Sequence, residues 1–118
     1  MNPITDAAAE PQPYPYTGPE ALRQPILQAL HRVVDPEVAL TIVDVGLIYG
    51  VTVDDDRAHV VLTMTSAACP VTELIIEEVE TELEAVIPAP LRIHVELVWD
   101  PPWSTDRMSA RAKVFMGW

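Results

Sequence analysis

The residue pattern predicts an α+β domain of two layers, in the order α–β–β–α–β–α, with a small mixed three-stranded sheet. Three observations lead there. Apolar residues recur at helical spacing over 19–34 and 70–87. Runs at 42–53, 59–65 and 91–99 have the composition of strands, and the last two alternate cleanly. A hairpin turn and then a helical crossover connect these runs, which makes the sheet mixed and puts the helices on one side. The chain of 118 residues suits one domain, and 49% hydrophobic residues suffice for a core.

Residues 1–18 hold Pro3, Pro11, Pro13 and Pro15, with Tyr14 and Tyr16 interleaved. Proline at that density opposes both helix and ladder pairing, so a flexible leader is expected over 1–18 and a single domain over 19–118. The first helix carries Leu22, Ile26, Ala29, Leu30 and Val33 on its apolar face. Pro25 should begin its regular part or kink an earlier turn, and Pro36 ends it by restricting Asp35. The segment IVDVGLIYGVTV follows as a strand, in which Gly46 and Gly50 signal a bulge or a close backbone contact. Asp54, Asp55 and Asp56 form the hairpin tip; DDDRA lacks the spaced oxygen ligands and the glycine of a calcium loop.

On the return strand Val60, Leu62 and Met64 share one face, and His59, Val61, Thr63 and Thr65 share the other. The second helix turns Val71, Leu74, Ile75, Val79, Leu83 and Val86 inward and sets a glutamate stripe opposite. Pro88 and Pro90 stop it. The third strand alternates Leu91, Ile93, Val95, Leu97 and Trp99 with Arg92, His94 and Glu96. WDPPW breaks that strand, and residues 105–115 can form a last short helix.

A formal charge of −11 argues against nucleic acid as a partner, because phosphates repel such a surface. No apolar run reaches the roughly 18–20 residues of a membrane span. MNPITDAAAE lacks a basic start and an apolar stretch, so a soluble, cytoplasmic protein is expected. Arg107, Arg111 and Lys113 crowd the last dozen residues. They read either as one side of a solvated helix or as a basic tail for the acidic body or an acidic partner.

There is one cysteine, Cys69, so no internal disulfide can form. It stands before Pro70, which is suited to the first position of a helix, and this predicts Cys69 as the N-cap. The helix dipole and unpaired amides there favour the thiolate, the form that binds soft metals and attacks electrophiles, although Glu73 opposes the effect. Thr63, Thr65 and Ser66 supply hydroxyls nearby. An isolated cysteine is equally a small buried hydrophobe. A thiol enzyme would need a base, and neither His31, His59 nor His94 is well placed for one. No pair of Cys or His has the spacing of a zinc site.

DPE at 35–37, IVDVGLIYGVTV, LTMTSAACP at 62–70, VELVWDPPW at 95–103 and DRMS at 106–109 occur in order and at suitable spacing. Together they resemble the PaaD/SufT-like metal–sulfur cluster assembly family over roughly residues 20–115. The resemblance implies a small α+β fold and a non-enzymatic role in assembling iron–sulfur clusters or delivering a labile one to apo-proteins. It implies Cys69 as the metal-binding residue, with Asp35, Glu37, Asp44, Thr65 and Ser66 as pocket companions; the strand-end hydroxyls add Thr63 to that pocket. Assembly proteins and apo client proteins are the implied partners. Where the family commonly has proline and glycine, this chain has Ala67 and Ala68, and it shows no cysteine-rich C-terminal extension of the PaaD kind.

One thiolate falls short of the full set that a cluster takes. Either two chains each contribute Cys69 in a homodimer, or a client or a small thiol completes the site. Taken residue by residue, Asp35 and Glu37 read equally as metal ligands, as general acids or as exposed carboxylates at a helix stop. Asp44 in an apolar strand would be costly unpaired, and capping a backbone group is the job expected of it. Trp99 and Trp103 flank a rigid segment that either seals the core edge or presents a partner-binding tryptophan. Two rival functions remain, a thiol-dependent enzyme or redox switch and an adaptor that never touches metal.

Overall fold

Residues 13–65 and 71–117 are described by the computed structural model of the chain. The three expected strands are all present: β4 (Ile48–Val53), β5 (Arg57–Leu62) and β6 (Arg92–Leu97). They are preceded by β1 (Tyr16–Thr17), β2 (Val34–Asp35) and β3 (Leu40–Thr41). The main sheet has four strands in the order β1-β4-β5-β6, and β2 and β3 make a separate two-stranded ribbon. The sheet is mixed, because β4 runs antiparallel to β5 while β1 and β6 lie parallel to their neighbours.

The fourth strand comes from the segment expected to be leader. Residues 1–12 lie outside the described residues, but Tyr14 is buried and Tyr16 and Thr17 pair with Val51 and Thr52. Proline is tolerated at this edge because the Pro15 carbonyl still accepts, here from the Val51 amide at 3.0 Å. The Tyr16 hydroxyl donates to the Pro19 carbonyl, and the Arg23 guanidinium sits 4.8 Å from the Tyr16 ring centre.

Helix α1 (Glu20–Leu30) continues through Pro25, so proline neither starts nor divides it. Its inner face is the expected one, with Ile26, Ala29 and Leu30 buried and Val33 just beyond. The chain then closes the β2–β3 ribbon in place of a plain helix stop. Asp35 receives the Glu37 amide on its carboxylate and the Ala39 amide on its carbonyl, and Ala39 takes φ of 61°.

Residues 42–45 correct a second expectation. They form a single helical turn, α2 (Ile42–Val45), rather than the start of a strand. Thr41 caps it by accepting the Asp44 amide at 3.1 Å, and Gly46 closes it in the left-handed region. Gly50 sits at a register shift in the β4–β5 ladder, as its position suggested.

Helix α3 (Thr72–Glu84) buries Ile75, Val79 and Leu83 against the sheet and α1, whereas Leu74, expected inside, is half exposed. Chain-distal to β6, a 3-10 turn at Thr105–Arg107 leads into α4 (Ala110–Met116). The core lies between one sheet face and the helices, lined by Val51, Val53, Ala58, Val60 and Leu62. The opposite sheet face is left to Thr52, His59, His94 and Glu96.

Candidate functional site

The site expected from the sequence centres on the end of β5. Alternation stops at Leu62, because Leu62, Thr63 and Met64 are buried in succession. Thr63 therefore does not share an outer face with Thr65 as expected. Its amide donates to the Leu47 carbonyl at 2.9 Å, one step past the Ile48–Leu62 pair, so the antiparallel pairing continues there. Among the described residues its hydroxyl finds no hydrogen-bond partner. Thr65 is partly exposed. Cys69 and Ser66 lie outside the described residues, as do Ala67, Ala68 and Pro70. The regular helix begins at Thr72 with Val71 in the preceding position, two residues later than the expected Cys69–Pro70 start.

Asp44 is tied to the C-terminal helix through its carboxylate. Its side chain accepts from Ser109 Oγ at 2.9 Å and from the Arg111 guanidinium at 2.9 and 3.2 Å. The expected job of capping a backbone group falls instead to Thr41 and Ser109, whose oxygens accept the Asp44 and Ala112 amides. A charge-assisted fork suits a carboxylate that packing holds at only 8% exposure. Arg107 stacks 4.1 Å from the Tyr49 ring centre, so two of the three terminal basic residues rest on the body.

His31, passed over in the sequence, joins this cluster with Nδ1 3.2 Å from Thr41 Oγ1. Leu27, His31, Val43, Asp44, Ser109 and Arg111 border a groove of about 330 Å³. The signal that could have revealed part of it is Thr41-x-x-Asp44, a capping pattern hidden inside an apolar run. Asp35 lies one pair along the ribbon from Thr41 and is committed to its own turn; Glu37 is exposed on that turn.

The two tryptophans separate. Trp103 is partly buried and donates from Nε1 to the Val45 carbonyl at 2.8 Å, while the Tyr49 hydroxyl holds the Pro101 carbonyl. WDPPW thus seals the edge of the core through Trp103. Trp99 remains 45% exposed.

The model of the iron–sulfur cluster assembly protein family matches residues 23–96. This chain belongs to that family. It is 43% identical to the Fe-S protein maturation auxiliary factor YitW of Bacillus subtilis, over 83% of this chain and 96% of that protein. It is 45% identical to the Fe-S protein maturation auxiliary factor SufT of Staphylococcus aureus, over 72% of this chain and 97% of the relative. Among solved structures, a domain of unknown function, DUF59, from Bacillus anthracis superposes with a TM-score of 0.76 at 40% identity. That likeness covers 83% of this chain and 93% of the other. The family match spans the Cys69 segment and both carboxylates of the ribbon and α2, and it ends before Trp99, Trp103, Ser109 and Arg111. The Asp44–Arg111 clasp therefore joins a residue within the family match to one beyond it.

Proposed function

We propose that the chain is a non-enzymatic auxiliary factor in iron–sulfur protein maturation, with Cys69 as the thiolate that meets a labile cluster in transit. The observation that carries this is the family match across residues 23–96, a stretch containing the only cysteine of the chain. The cluster is cargo. Transfer is ligand exchange at iron, in which an Fe–S bond to Cys69 gives way to one from a client thiolate, with no electron gained or lost.

The physical setting favours release over storage. A single thiolate leaves the remaining iron positions to other donors. A second copy of the chain, with its own Cys69, is one source, and a client or a small thiol is another. The buried Thr63 hydroxyl, unpartnered among the described residues, is a donor available at the strand end that leads into the Cys69 segment. Assembly proteins and apo clients are the partners in this scheme, with the cytoplasm as its compartment. No helix among the described residues is long and apolar enough to cross a membrane.

Anaerobic addition of iron and sulfide tests the proposal. The expected result is a visible-absorbing, oxygen-sensitive species on the wild type that Cys69→Ser abolishes. Mass measured on the loaded sample distinguishes a cluster bridged by two chains from one completed by a small thiol. No chromophore on the wild type, with client binding retained, would favour an adaptor that never touches metal. Substrate turnover together with a low thiol pKa in alkylation-rate titrations would instead favour an enzyme or redox switch.

A further inference from the structure

Histidines 59 and 94 are far apart in sequence, and no ligand spacing links them. The parallel register of β5 and β6 sets them directly opposite each other, with ring centres 5.0 Å apart. Glu96, two residues beyond His94 on the same face, places Oε1 2.9 Å from His59 Nε2. One donor atom from each of the three lies within 4.8 Å of the others. We infer that His59, His94 and Glu96 form a binding site for a divalent transition-metal ion of the zinc class on the open face of the sheet.

The geometry requires a modest adjustment. Two donors bound at about 2.1 Å to one tetrahedral ion stand about 3.4 Å apart. The donor atoms here lie within 4.8 Å of one another, so rotations of the exposed His94 and Glu96 side chains must draw the widest pair together by up to about 1.4 Å. The strands supply a rigid base, so the three ligands are already gathered on one patch. Two imidazoles and one carboxylate select Zn²⁺, Co²⁺ or Fe²⁺ over Mg²⁺ and Ca²⁺, which prefer oxygen donors throughout. Three protein ligands also leave coordination positions open for water or for a group on another molecule.

Charge nearby is mixed. Arg57 and Arg92 form the next pair on the same face of the ladder and oppose a cation. Asp54, Asp55 and Asp56 line a depression together with those arginines and offset them. The whole chain, at −11, draws cations toward its surface. The ordinary alternative is a solvated His59–Glu96 ion pair with His94 beside it, and such a pair holds no metal.

The three proposed ligands do not include Cys69, so the site is best tested on full-length Cys69→Ser protein, where the thiol cannot contribute. After treatment with a chelator the protein is titrated with Zn²⁺ by calorimetry and with Co²⁺ by visible absorption. One ion per chain is expected, with binding at least about tenfold weaker in His94→Gln and in Glu96→Gln. In histidine ring NMR spectra the His59 and His94 signals should move with Zn²⁺ while those of His31 stay in place. Circular dichroism checks that these surface variants remain folded. Uptake that never saturates, uptake unchanged in a His59→Gln/His94→Gln double variant, or movement of His31 alone would each overturn the assignment.

Discussion

A Cβ placed on Gly46 would stand 2.2 Å from the Arg107 carbonyl oxygen, and φ there is +85°. Both facts demand glycine, one through contact and the other through backbone conformation. Gly46→Ala should lower stability by more than about 2 kcal/mol, read as a fall in the urea midpoint. Gly50→Ala is the control. Its Cβ would meet nothing nearer than the Pro15 carbonyl at 3.8 Å, and its cost should stay below about 1 kcal/mol. A close contact at Gly46 was legible in the sequence, although its partner in the 3-10 turn was not. Likewise the cost of burying Asp44 was foreseeable from its apolar neighbours. That Arg111 would meet it was not, since the pair lies 67 positions apart.

Among the elements, β1 departs most from the sequence reading, and Tyr14 gives it a titratable marker. Burial pushes the Tyr14 phenol up from 10.0 to about 12, with the neighbouring Tyr16 adding to the rise and Arg23 opposing it. A raised phenol pKa means that the folded state holds its proton more tightly than the unfolded chain. The resulting stability is complete below pH 10 and is lost as pH climbs toward about 12. Denaturant midpoints measured across that window should fall, and Tyr14→Phe should flatten part of the decline. A slope unchanged by Tyr14→Phe would mean that the segment is not packed as described. The strand escaped notice because it is two residues long and its pairing partner, β4, lies far along the chain. Helix α3 shows the converse. Its buried residues Ile75, Val79 and Leu83 followed from periodicity, while both its ends fall inside the expected 70–87 and Leu74 is half exposed.

For the molecule as a whole, eighteen acidic residues against seven basic ones make self-repulsion a global term. Raising salt from about 0.01 M to about 0.15 M shortens the screening length from about 30 Å to about 8 Å. The thermal midpoint should rise over that interval, as monitored by circular dichroism. A midpoint that falls would mean that ion pairs such as Asp44–Arg111 outweigh the repulsion. The α+β class, the helical faces, the hairpin at Asp54–Asp56 and the alternation along β6 were all present in the sequence, because period and turn chemistry are properties of neighbouring residues. The resemblance to cluster-assembly proteins was equally available from five short segments in order. Folding alone decided which distant residues meet: Tyr16 with Val51, His59 with His94, and Asp44 with Ser109 and Arg111. Those meetings depend on strand register and on how the chain crosses between layers, and no local pattern of side chains encodes either.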